Sequence, residues 1–166
     1  GVWTIRFIVA TLAITPLRRI TRLHGLITFR RMIGLFAFFY GSLHFTTYIW
    51  LDQFFDWRAI LKDIPKRPFI TIGFASFVLM VPLAVTSTQK MIRRLGGRRW
   101  DILHRLVYIT AVGACIHYIW LVKVVTYRQI VYATLVAALL LFRLLWKLRA
   151  KAIPKTHPPA KKSLAA

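Results

Sequence analysis

The 166-residue sequence contains no glutamate, and its only acidic side chains are Asp52, Asp56, Asp63 and Asp101. Against them stand 25 lysines and arginines, a formal net charge of +21. A relay of carboxylates through the interior has almost nothing to be built from. Cysteine is nearly absent too. Cys115 stands alone inside an apolar run, so no intrachain disulfide forms and cysteine usage does not reveal the redox compartment. No charged leader with a small-residue cleavage site opens the chain, so no secretory signal peptide is expected at Gly1. Apolar and polar residues do not alternate, and there is no internal repeat. Strands are therefore not expected, because a backbone crossing lipid is either helical or part of a closed barrel. A glycine-rich dinucleotide fingerprint is also missing: Gly96-Gly97 sits in a basic loop, not between a strand and a helix.

What remains is apolar sequence in long runs. Hydrophobic residues make up 58% of the chain and the mean hydropathy is +0.59. A helix crossing the hydrocarbon core needs about 20 such residues. Five segments approach that length: residues 2–17, 32–51, 69–88, 101–121 and 129–146. The expected fold is all-α, a polytopic transmembrane helix bundle. Residues 1–149 form one transmembrane domain, and residues 150–166 form a basic, disordered tail.

In a soluble protein, +21 would suggest nucleic acid. Here the charges cluster between apolar runs, the pattern of a membrane face, and no nucleic-acid partner is expected. Residues 18–31 carry five Lys and Arg, residues 90–99 carry five, and the stretch from Arg143 onward carries seven. The opposite loops carry four, offset by three aspartates, and two. Lysine and arginine concentrate on the cytoplasmic side, so the C-terminus is expected there. Trp57, Phe54 and Phe55 place the 52–68 loop along the membrane interface.

Three histidines fall within spans: His44, His104 and His117. Titratable groups in lipid are costly and usually mark function, although one alone also serves as an interhelical hydrogen bond. Depth decides how they can be used. The second and fourth spans run in the same direction, which puts His44 and His117 both in the outer half. His104 lies 13 residues before His117, a rise of about 20 Å, so no single metal ion joins those two. His44 and His117 instead form the pair that a haem between two helices requires. His104 stands at an inner level, where the second span offers Arg30 and Arg31. Arginine stays protonated and is a poor iron ligand, but it pairs with a propionate. Its plainer role is positive-inside anchoring. His24 in the loop is a further candidate for the inner level, whereas His157 in the tail is not a ligand. Gly41 and Gly113, one turn before His44 and His117, suit either a macrocycle or close helix packing. Cys115 reads as packing.

These residues carry a family likeness. The stretches Met32-Ile33-Gly34-Leu35, Ser42-Leu43-His44-Phe45-Thr46-Thr47-Tyr48, Lys66-Arg67-Pro68-Phe69-Ile70-Thr71, Thr86-Ser87-Thr88-Gln89, Trp100-Asp101-Ile102-Leu103-His104 and Ile116-His117-Tyr118-Ile119-Trp120 follow one another in an order and spacing that resemble the MsrQ (formerly YedZ) family. That family belongs to the ferric-reductase-like transmembrane superfamily. The resemblance implies a bacterial inner-membrane subunit of six helices, one more than is visible here, that binds b-type haem, one or two. It implies FMN as a further cofactor. It also implies electron transfer from the quinone pool or a cytoplasmic flavin reductase to a periplasmic molybdenum subunit, MsrP, that repairs methionine sulfoxide in proteins. His44, His104 and His117 match the family's haem histidines, and Arg30 matches a basic position at the inner level.

The expectation is an electron-transfer subunit of an oxidoreductase system, with no substrate chemistry of its own. Its rivals are a histidine-based proton or metal-ion transporter, which needs a carboxylate relay, and a non-redox membrane anchor, which leaves three intramembrane histidines unexplained.

Overall fold

The computed structural model describes residues 1–152, and all of its regular structure is helical. Of the tail expected over residues 150–166, residues 150–152 continue the last helix, and the remainder from residue 153, with His157, lies outside the described residues. Helix α1 is Val2–Thr21 and α2 is Leu26–Thr47, prolonged by a π-helical turn at Tyr48–Asp52. Then come α3 (Trp57–Lys66), α4 (Pro68–Val85), α5 (Gln89–Leu95), α6 (Gly97–Leu103), α7 (Leu106–Trp120) and α8 (Tyr127–Ala152).

Local chemistry sets most of these boundaries. Asp56 caps α3, its Oδ1 accepting from the backbone N–H of Arg58 and Ala59 at 3.0 Å each. Pro68 opens α4 at a position where a missing N–H costs nothing. Gly96, at φ +74°, makes the turn between α5 and α6 that a side chain would resist. The 52–68 loop contains the amphipathic helix α3, with Ile60 buried and Trp57 and Leu61 exposed. The expected fourth span is interrupted at His104 and Arg105, between α6 and α7.

Among the described residues four segments are long and apolar enough to cross a membrane: Leu26–Asp52, Pro68–Val85, Gly97–Trp120 and Tyr127–Ala150. Helix α1, the first of the five expected spans, has the length but carries Arg6, Arg18 and Arg19. It is nonetheless central. Ile5, Ile8 and Leu12 of α1 pack with Ala37, Met80, Ala111, Cys115 and Val136, one buried line drawing on α1, α2, α4, α7 and α8. Aromatic ladders seat α2 between its neighbours: Phe7 on Tyr40 at 5.3 Å on one side, Phe45 on Phe77 at 5.0 Å on the other. Elsewhere the bundle exposes large apolar side chains such as Phe39, Leu43, Ile109, Leu141 and Leu144, a surface suited to lipid. The chain is a multi-pass membrane protein.

Arg6 and Arg19 of α1 and Arg143 of α8 are absorbed along one parallel seam. At one end Arg6 donates to the Tyr132 hydroxyl at 2.9 Å. At the other, the Arg19 guanidinium lies over the Trp146 ring at 4.7 Å. Between them Arg143 Nη2 donates to the Leu12 carbonyl at 2.6 Å. That carbonyl is the one left without a helical donor by Pro16, four residues on, which has no N–H to give. Arg143 thus supplies from α8 the hydrogen bond that α1 lacks. In a Pro16→Ala background the carbonyl regains its own donor, so Arg143→Leu should cost roughly 1 kcal/mol less than in the wild type. A double-mutant cycle by unfolding in detergent measures that difference, and strict additivity would disprove the link.

Candidate functional site

The three intramembrane histidines line two cavities that share the walls Ile8, Met80 and Thr110. The larger cavity, about 730 Å³, lies toward the loops at residues 52–68 and 121–128. His44 enters it from α2 and His117 from α7, and their ring centres are 6.2 Å apart at an interplanar angle of 59°. Two imidazoles sharing one metal through bonds of about 2 Å have ring centres roughly 6 Å apart. The pair expected from helix direction is therefore a spatial pair.

His117 is oriented by a partner that the sequence reading missed. Its Nδ1 donates to the Phe69 carbonyl on α4 at 2.7 Å, which leaves the Nε2 lone pair for another partner. The ring can lie against the α4 backbone because residue 73 is glycine: a Cβ there would come within 2.6 Å of Nδ1. Gly73 and Phe69 sit in an ordinary apolar run, and only the α4–α7 contact reveals them. Gly113 serves the same contact, since its Cβ would fall 2.2 Å from Ser76 Oγ, so close helix packing accounts for it. Gly41 lines the larger cavity. Cys115 packs in the apolar core.

The smaller cavity, about 240 Å³, lies toward the basic loops. His104, Arg30 and Arg31 line it, with Trp100 and Asp101. The Trp100 ring stacks on His104 at 3.8 Å, and its Nε1 donates to the Thr86 carbonyl at 2.9 Å. With His104 Nδ1 donating to the Trp100 carbonyl at 3.1 Å, Nε2 carries the lone pair. That nitrogen is buried without a hydrogen-bond partner, a costly arrangement for a polar atom unless a ligand meets it. Among the described residues no second histidine lines this cavity. His24 is in the α1–α2 turn, exposed and bonded to the Arg22 carbonyl at 2.6 Å, away from both cavities.

Fold and site together define a polytopic helical membrane protein with imidazole presented at two levels of one bundle. Residues 1–115 match the family described as the ferric reductase like transmembrane component. The chain is 55% identical over 148 residues to the protein-methionine-sulfoxide reductase heme-binding subunit MsrQ of Herminiimonas arsenicoxydans, covering 88% of this chain and 68% of that protein. The MsrQ of Azospira oryzae is 51% identical over 150 residues, 90% of this chain and 64% of its own length. That of Xanthomonas campestris pv. campestris is 47% identical over 163 residues, 96% and 74%. The chain thus spans about two thirds to three quarters of these relatives. No solved structure matches it. The chain belongs to the ferric-reductase-like transmembrane family and, within it, to the MsrQ subunits.

The seat of His117 yields a prediction that needs no cofactor. Gly73→Ala overpacks the α4–α7 contact and should destabilise the protein by about 1–3 kcal/mol. In a His117→Ala background the same change should be nearly neutral. Thermal unfolding of the four proteins checks this, and equal costs in both backgrounds would contradict it.

Proposed function

We propose that this chain is the haem-binding membrane subunit of a methionine sulfoxide reductase system, carrying electrons across the bacterial inner membrane. The observation that carries the reading is the His44–His117 pair, 6.2 Å between ring centres, on a cavity of about 730 Å³. These residues fit a b-type haem. When bound, haem supplies a one-electron iron couple whose potential follows axial ligation and burial. His44 and His117 would hold its iron at the outer level. Phe69 holds His117 in the tautomer that leaves Nε2 free. His104 provides one imidazole at the inner level, where Arg30 offers a charge for a carboxylate edge. Ile8, Met80 and Thr110 form the partition between the levels.

The basic loops and the C-terminal end face the cytoplasm in this reading, by their excess of Lys and Arg. Electrons then enter from the quinone pool or a cytoplasmic flavin reductase and leave to the periplasmic molybdenum subunit MsrP. The family likeness also implies FMN, to which we assign no residues. Arg58, Lys62 and Lys66, spaced four apart and exposed on α3, form with Lys123 and Arg128 the surface on which MsrP docks. The transporter rival finds little support. Asp52 and Asp101 lie on opposite cavities with no carboxylate in the partition between them. Among the described residues no three His, Cys or Asp side chains converge as a metal-ion site.

Reduced-minus-oxidised visible spectra of detergent-purified protein test the assignment. The wild type should show a b-type signal. His44→Ala and His117→Ala should each abolish the component held by that pair, and the His104→Ala spectrum tells whether a second haem is bound at the inner level. A folded wild type without haem would refute the reading. Reversing the five docking charges should slow electron delivery to MsrP roughly tenfold at low ionic strength; an unchanged rate would move the docking surface elsewhere.

A further inference from the structure

The larger cavity carries a cationic side chain that the histidine pair does not use. Among the described residues lining it, Arg67 is the one cationic side chain, and Asp52 is the one carboxylate. Arg67 is held at the junction of two helices. Its backbone is extended, at φ −116° and ψ 101°, closing α3 and opening α4. Its N–H donates to the Asp63 carbonyl at 3.1 Å, and its own carbonyl accepts from Ile70 and Thr71 at 2.9 and 3.1 Å. Pro68 follows directly and fixes the exit of the chain.

The side chain is fixed as firmly at its base. Arg67 Nε pairs with Asp63 Oδ1 at 2.8 Å. Asp63 Oδ2 accepts from the Tyr48 hydroxyl at 3.1 Å and from Gln53 Nε2 at 3.3 Å. Asp63 is therefore a partly buried hub, its side chain 12% exposed, that ties α3 to the end of α2 and orients the guanidinium. The Arg67 side chain is 55% exposed, reaching from that anchor toward the cavity rim. With Nε committed to Asp63, the terminal nitrogens Nη1 and Nη2 remain as paired donors on one edge of a planar fork. That edge matches a carboxylate. A plain surface ion pair between i and i+4 contributes little to stability, and of these two residues Arg67 is the one on the cavity lining.

We propose that Arg67 binds a propionate carboxylate of the haem held by His44 and His117, with Asp63 positioning it. The assignment rests on the haem reading above. An anionic carboxylate in this mostly apolar cavity needs a cation or water, and Asp52 on the same lining repels it. Arg67 supplies the cation. Neutralising the carboxylate also favours the reduced iron, which carries one positive charge fewer, so Arg67 raises the midpoint potential of the outer level.

The test is potentiometric titration and haem quantitation of purified wild type, Arg67→Gln, Arg67→Lys and Asp63→Asn. Arg67→Gln should lower the outer midpoint potential by about 59 mV, a tenfold shift in the ratio of reduced to oxidised iron. Arg67→Lys keeps the charge and should restore most of that potential. Asp63→Asn should fall between wild type and Arg67→Gln. Should Arg67→Gln lose haem altogether, retention by Arg67→Lys supports the charge role. Equal loss in both variants overturns it in favour of a purely structural arginine. Haem-loaded variants with wild-type potentials overturn the proposal alone. A wild type without haem overturns the haem reading and this proposal with it.

Discussion

Inside a bilayer a polar group has no water to pair with, and that constraint accounts for the placement of most polar side chains in this bundle. The Leu12 carbonyl, stripped of its donor by Pro16, is met by Arg143 from another helix. Arg6 within α1 is met by Tyr132. The Thr11, Ser42 and Thr46 hydroxyls each donate to the carbonyl four residues earlier in their own helix, and Thr86 and Ser87, just past the end of α4, donate to its Pro82 and Leu83 carbonyls. His117 is met by Phe69. Among the described residues the buried polar atoms left without a partner are few, and three of them, His104 Nε2, Thr4 Oγ1 and Thr110 Oγ1, belong to residues lining the two cavities; the others are Nε and Nη1 of Arg143.

The same constraint explains what the sequence made legible. Long apolar runs broken by arginine clusters carry a helical membrane fold without ambiguity. Helix direction alone puts His44 and His117 at one depth and His104 at another, and the two rings do share a cavity while His104 lines a different one. The family likeness rested on order and spacing of short motifs, which survive even though each motif alone is weak.

What was not legible is what depends on contact between distant segments. Gly73 sits in the apolar run of α4, and nothing local distinguishes it from Gly113 or Gly41. Its role appears only because His117, 44 residues on, leans against it. The α1–α8 seam joins residues more than 120 apart, so nothing local in the sequence tells that Arg6 and Arg143 find their partners on another helix. The interfacial loop concealed helix α3, whose ten residues are too few to register as a span, and whose Asp63 looked like one acidic residue offsetting nearby basic ones. In the structure that aspartate ties three segments together.

The account depends most on His44 and His117 sharing one iron. Electron paramagnetic resonance of the oxidised, purified protein reads that ligation directly. A low-spin ferric signal should be present in the wild type. In His44→Ala and in His117→Ala it should convert to high spin or vanish with the haem, while any signal from the His104 level persists. A low-spin spectrum unchanged by either substitution would show that the iron is held elsewhere and would contradict the account.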